Sequence, residues 1–79
     1  MKTLNKLKPG SKARVAKLEV EGAVRRRFLD MGITPGVEIY MRKVAPFGDP
    51  LEINLRGYVL TLRKKEAELI IMEDTKEKE

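Results

Sequence analysis

The sequence predicts a small, mainly β protein, with about five short strands in a strongly bent sheet and one short α-helix between the first two strands. Three observations support this fold class. Apolar and polar residues alternate over several short runs, which is the pattern of half-buried strands. Glycine and proline separate these runs and mark turns. The chain has only 79 residues, and we expect its sheet to close into a barrel, because a small open sheet would expose both edges.

The first predicted strand follows the turn signal Pro9-Gly10. Apolar side chains occupy every second position of residues 12–15, and residues 16–20 continue the alternation with its phase shifted by one. Because a shift of one residue turns every side chain to the other face, the pattern predicts a bulge or bend near Val15–Ala16.

One short helix is predicted over residues 21–31. Val24, Phe28 and Met31 fall at i, i+4 and i+7, so they share one face of a helix and are expected to face the core. Gly32 follows at the position where a left-handed residue ends a helix, and Pro35 prevents the helix from continuing.

The remaining elements are short and well separated. Strands are predicted over residues 37–42, 51–56, 58–63 and 69–72, with one helical turn near 64–67. Arg56-Gly57 is predicted to form a tight hairpin connection. A structural role in turns is predicted for six residues: Gly32, Pro35, Gly36, Pro46, Gly48 and Pro50.

Charge is distributed unevenly along the chain. The formal net charge is +5, yet residues 73–79 are mostly acidic. Residues 1–72 are therefore expected to form one basic domain, and residues 73–79 a polar, disordered tail. A basic body of this kind could attract nucleic acid, anionic lipid or an acidic protein surface. No signal peptide or membrane-spanning run is apparent, so a cytosolic location is expected.

The composition disfavours an enzyme or a metal site. Cysteine and histidine are both absent, which removes thiolate and imidazole ligands and the commonest general base. Asp49 and Glu52 lie near a loop, but no second acid or base and no nucleophile is placed beside them by a motif. We therefore predict no catalytic residue, no metal ligand and no cofactor.

Five residues are candidates for contact with a partner. The basic run Arg25, Arg26 and Arg27 could engage an acidic surface, although charge runs also serve as solvated faces, with Arg26 pairing to Asp30. Phe47 lies in a stiff loop with Asp49 and could act as an aromatic anchor. The alternative for Phe47 is that it folds back and caps one end of the barrel.

Three segments of the chain carry motifs that are informative when they are taken together. Arg25–Gly36 contains a basic helix and an "LGxxPG"-type turn, with Met31 before the glycine. Val44–Pro50 matches an "APxGDP" loop, and Leu60–Ala67 matches an "LxLRxxEA" closing segment. In this order and spacing, the segments resemble the FeoA family, and the similarity runs from about Leu7 to Met72.

The resemblance implies an SH3-like barrel. It also implies one of two contexts, a free-standing partner of the membrane iron transporter FeoB or the C-terminal domain of a diphtheria-toxin-repressor-type metalloregulator. The free-standing context is preferred because no helix-turn-helix precedes the motifs. We therefore expect a non-enzymatic accessory protein of ferrous iron uptake that binds FeoB, in the cytoplasm or held by FeoB at the inner face of the membrane.

Two other functions are considered. A small basic barrel is typical of proteins that bind single-stranded nucleic acid or RNA, but the chain has only two Tyr and two Phe and no Trp, so nucleic acid is not the expected partner. An adaptor that contacts proline-rich peptides is also compatible with the fold, although a fold alone does not give a function. The sequence predicts no oligomeric state.

Overall fold

The structure is a computed structural model that describes residues 2–73. It contains six strands, two α-helices and one 3₁₀ turn, and the helices lie between β2 and β3 and between β5 and β6. The elements in chain order are β1 (Lys2–Thr3), the 3₁₀ turn (Leu4–Lys6), β2 (Lys12–Leu18), α1 (Gly22–Asp30), β3 (Glu38–Val44), β4 (Leu51–Leu55), β5 (Tyr58–Leu62), α2 (Lys64–Ala67) and β6 (Ile70–Met72).

The strands form one antiparallel sheet in the order β1-β6-β2-β3-β4-β5. The first part of β2, Lys12–Arg14, pairs with β3, and its second part pairs with β6. The register shifts between Val15 and Lys17, at the position where the alternation changes phase in the sequence. Because a bulge bends its strand, β2 turns from one half of the sheet to the other and wraps the sheet around the core.

The core is apolar throughout residues 2–73, where no polar or charged side chain is buried. Alternate residues of β3, β4 and β6 fill it, as period-two patterning requires. Phe28 is the only buried residue of α1 within the described chain. The buried residues are Leu4, Leu7, Ala13, Val15, Phe28, Ile33, Ile39, Met41, Leu51, Ile53, Leu55, Leu62, Ala67, Ile70 and Met72.

The predicted core face of α1 is only partly correct. Phe28 is fully buried and Met31 is half-buried, but Val24 is 40% exposed. The helix ends at Asp30, and the next buried side chain is Ile33, beyond the helix. A helix this short is anchored by Phe28 and by the residues that follow it, so its first turn need not contact the core.

The edges of the sheet are not joined by a strand ladder within residues 2–73, so the expected closure by strand pairing is incomplete. Instead, side-chain contacts join the region of α1 to β5 and to α2. The Tyr58 hydroxyl at the start of β5 donates to the carbonyl of Met31, just after α1, at 3.1 Å, and Arg27 of α1 pairs with Glu66 of α2.

β1 and the 3₁₀ turn were not predicted. Lys2 and Thr3 pair with β6, and the following Leu4 is fully buried. Two residues are too few to show an alternation, so the sequence pattern gave no signal for this strand. The expected disordered tail begins at Glu73, whose amide donates to the Arg14 carbonyl at 2.8 Å, and residues 74–79 lie outside the described residues.

Candidate partner-binding surface

The loop between β3 and β4, residues 45–50, presents Phe47 to solvent. The Phe47 side chain is 94% exposed, so it does not cap the barrel. Two backbone hydrogen bonds close the loop, from the Gly48 amide to the Ala45 carbonyl at 2.8 Å and from the Ala45 amide to the Pro50 carbonyl at 3.1 Å. The aromatic ring therefore stands at the tip of a short, internally bonded loop.

Asp49 fixes this loop to α2. Its Oδ1 accepts a hydrogen bond from the backbone amide of Lys64 at 3.0 Å. Lys64 is the first residue of α2, where amides lack partners within the helix and a carboxylate is favoured by the helix dipole. Asp49 is therefore engaged within the fold, and we assign it to holding the loop rather than to contacting a partner.

Glu66 joins α2 to α1. Its Oε1 accepts from the Arg63 amide at 2.9 Å, and its Oε2 pairs with the Arg27 guanidinium. Glu66 thus caps its own helix and holds Arg27 at the same time. The contacts of Arg27, Glu66 and Asp49 bring together all three segments that resemble a known family, and they place Arg27 in a structural role.

The other two arginines of the basic run differ in exposure. Arg25 is half-buried in a depression on the surface, whereas Arg26 is exposed. Within residues 2–73 neither residue forms an ion pair, so the expected Arg26–Asp30 pair is absent.

Leu29 lies one helical turn from both arginines and is 37% exposed. Arg25, Arg26 and Leu29 are called the α1 surface below. The depression beside Arg25 is lined by Leu18, Glu19, Val20 and Glu21.

Three cationic side chains lie near the loop that carries Phe47. The Lys64 side chain runs beside Gly48, its Cδ 4.0 Å from where a Cβ on that glycine would lie. Lys43 lines an open apolar groove of about 410 Å³ next to Pro46 and Pro50, and Arg63 lines a second depression that also borders Pro50, next to Asp49. Lys43, Phe47, Arg63 and Lys64 are called the loop surface below.

Two residues of this region were not identified from the sequence as parts of the site. Glu66 does have a signal in the sequence, because a glutamate at the third position of a helix is half of a capping box. Tyr58 has no local signal in the sequence, because its hydroxyl donates to Met31, which follows α1 and lies 27 positions earlier in the chain. Among residues 2–73 no three acidic side chains come together as a metal site, and no helix is long and apolar enough to cross a membrane.

Replacing Asp49 with alanine should lower the free energy of unfolding by about 0.5–2 kcal/mol, because the Lys64 amide at the start of α2 loses its acceptor. Asp49→Asn retains a side-chain oxygen and should retain most of the stability. Urea denaturation of both variants tests this expectation. Equal losses in the two variants would show that the hydrogen bond is not what holds the loop.

Comparison with known proteins identifies relatives over almost the whole described chain. Residues 2–74 match the family profile described as the FeoA domain. A fusion protein of Fe(2+) transport protein A and Fe(2+) transporter FeoB from Porphyromonas gingivalis is 33% identical over 70 residues. That match includes 89% of this chain but only 8% of the fusion protein, so the chain corresponds to a small part of that relative.

Solved structures show the same fold. A FeoA-like protein from Clostridium acetobutylicum is 45% identical, with a TM-score of 0.88 over 99% of this chain and 91% of that one. Stenotrophomonas maltophilia FeoA, solved with zinc and described as a prokaryotic SH3 domain protein, is 26% identical, with a TM-score of 0.81 over 92% and 91%. The fold also occurs in a manganese-dependent transcriptional repressor, at 17% identity and a TM-score of 0.78 over 87% of this chain and 39% of that one. The predicted SH3-like fold is confirmed.

Proposed function

The chain belongs to the FeoA family, and from this we propose that it is a non-enzymatic accessory protein of bacterial ferrous iron uptake that binds the cytosolic part of the iron transporter FeoB. Binding would support the activity or the assembly of the transporter. The protein would lie in the cytoplasm, at the inner face of the membrane while it is bound.

The observation that supports this proposal most directly is the Porphyromonas gingivalis relative, in which an Fe(2+) transport protein A unit and FeoB are fused in one chain. Covalent linkage raises the effective concentration of one unit beside the other, up to the millimolar range for short linkers. A fusion of the two units is therefore consistent with a function in which the FeoA unit contacts FeoB. For a separate chain, the same contact must come from a complementary surface.

We propose the α1 surface as the contact for FeoB. Arg26 is exposed and has no ion pair within residues 2–73, so binding to an acidic patch breaks no interaction of this side chain in that region. Leu29 adds an exposed apolar side chain beside it. The Arg27–Glu66 pair and the Phe28 anchor hold the helix in place, which limits the ordering cost of binding.

The structure offers no comparable support for nucleic-acid binding. Stacking on bases needs exposed aromatic rings that share one face. Phe47 lies beyond the end of β3, whereas Tyr40 lies near its start, and the Tyr58 hydroxyl is bonded to the end of α1. The exposed rings of residues 2–73 therefore do not form a common platform.

The proposal is tested by measuring the affinity of the full chain for the purified cytosolic region of FeoB, without lipid. The double substitution Arg26→Glu with Leu29→Ala should weaken the complex about tenfold or more, through charge repulsion and loss of apolar contact. Lys8→Glu is the control for charge reversal, since Lys8 is also exposed and forms no ion pair within residues 2–73. Unchanged affinity in the double variant would refute the α1 surface, and absence of any complex would refute this mode of function.

A further inference from the structure

We propose that the loop surface binds the acidic lipid surface of a membrane, with Phe47 inserted among the lipid chains and Lys43, Arg63 and Lys64 against the headgroups. This contact goes beyond the proposed function, because weak, reversible binding of the loop surface to lipid needs no transporter. It also places the sequence-predicted anchor, Phe47, against lipid rather than against FeoB.

Phe47 has the position that insertion requires. Its ring is 94% exposed, and the next most exposed large apolar side chain of the described residues, Tyr58, is half as exposed at 47%. The neighbouring residues of the tip add no charge before Asp49, since Ala45, Pro46 and Gly48 flank the ring. An aromatic side chain at the tip of a small loop closed by two hydrogen bonds can enter the interfacial region of a membrane, where polar headgroups and water remain in reach of the loop backbone.

The charges around the ring favour an anionic surface. Lys43, Arg63 and Lys64 lie near residues of the loop, and none of them forms an ion pair within residues 2–73. Two acids of the same region are paired with other cations: Glu52 pairs with Arg42 at 2.7 Å, and Glu66 pairs with Arg27. Asp49 accepts from the neutral Lys64 amide and keeps its charge. Three cations against this one carboxylate leave a net positive charge beside Phe47, which is available to lipid phosphates and carboxylates.

The loop surface alone is not expected to hold the protein on a membrane. One inserted side chain with a few basic residues gives weak, reversible association, and stable attachment of a peripheral protein takes a second signal. The proposed contact of α1 with FeoB would supply that signal. The α1 surface and the loop surface lie on elements that are connected through Arg27, Glu66 and Asp49.

A tryptophan placed at position 47 tests insertion, because the chain contains no tryptophan of its own. The Phe47→Trp protein is mixed with vesicles of phosphatidylcholine containing about one-third phosphatidylserine, and separately with pure phosphatidylcholine vesicles. We expect the emission to shift to the blue with the anionic vesicles alone, and the shift to weaken as salt is raised. Tyr40→Trp is the control, since this side chain is 41% exposed on β3, away from the loop, and should show no shift.

Sedimentation with the same anionic vesicles measures the affinity. Phe47→Ala should weaken vesicle binding by about tenfold or more, because the aromatic ring that inserts into the lipid is lost. Lys43→Gln with Lys64→Gln should weaken it by a similar factor, whereas Lys8→Gln with Lys12→Gln removes equal charge elsewhere and should have a smaller effect.

Three results would overturn the lipid proposal. The first is no blue shift at low salt, and the second is an equal shift from Tyr40→Trp. The third is a blue shift of Phe47→Trp with the cytosolic region of FeoB in the absence of lipid, which would assign the loop surface to protein. If the loop surface does not bind lipid, the complex between the α1 surface and FeoB, which is measured without lipid, is unaffected. Either proposal can therefore be refuted without refuting the other.

Discussion

Phe28→Ala should lower the free energy of unfolding by about 3–5 kcal/mol, the usual cost of removing a buried phenylalanine. Phe28 is fully buried and is the only residue of α1 that is buried in the described chain. A chain of this size is expected to have a total stability of about 4–12 kcal/mol, so this single substitution removes a large part of it. Urea denaturation followed by circular dichroism measures the loss.

Val24→Ala is the matched control for Phe28→Ala. Both residues lie on the helix face that the sequence pattern predicts to be buried, but Val24 is 40% exposed. Its truncation should therefore cost about 0.5 kcal/mol or less. Comparable losses in the two variants would show that α1 is packed through a wider face than the structure indicates, whereas no loss from Phe28→Ala would contradict its anchoring role.

Gly32→Ala should lower the free energy of unfolding by about 2–4 kcal/mol, from two separate causes. Gly32 has a φ of +94°, a left-handed conformation that costs an alanine about 1–2 kcal/mol. A Cβ at this position would also lie 3.2 Å from the Tyr58 hydroxyl oxygen. Since that hydroxyl donates to the Met31 carbonyl, moving it aside disturbs the bond between β5 and α1.

Gly36→Ala separates the two causes. Gly36 has nearly the same φ, +92°, but no atom lies within 4 Å of the position its Cβ would take. Gly36→Ala should therefore show the backbone cost alone, about 1–2 kcal/mol. A Gly32→Ala loss no larger than that of Gly36→Ala would show that Tyr58 yields without cost, and that its contact with the end of α1 contributes little.

The main elements of the fold follow from local patterns in the sequence. Alternation predicted β2 to β6, and the change of phase near Val15 predicted the bulge, because both depend on which face of a strand is buried. The burial of Leu4 and the pairing of Lys2 and Thr3 with β6 depend on a strand at the far end of the chain, and no local pattern encodes such a contact.

Contacts between distant positions also limit what the sequence predicts about the candidate surface. The sequence singled out Arg27 and Asp49 by their place in motifs, but their bonds to Glu66 and to the Lys64 amide join positions far apart in the chain. Sequence reasoning therefore could not separate residues that support the surface from residues that are free to contact a partner. The exposure of Phe47 was left open for the same reason, since a loop side chain can lie against the barrel or in solvent.

The proposed function depends on a direct contact between this chain and FeoB. The most direct measurement is a titration of isotope-labelled full-length protein with the cytosolic region of FeoB, without lipid, following the backbone amide shifts. We predict localised changes along α1, centred on Arg26 and Leu29, with little change at Phe47. Saturating FeoB with no shift in any amide would contradict the account, and shifts confined to the strands would contradict the α1 surface.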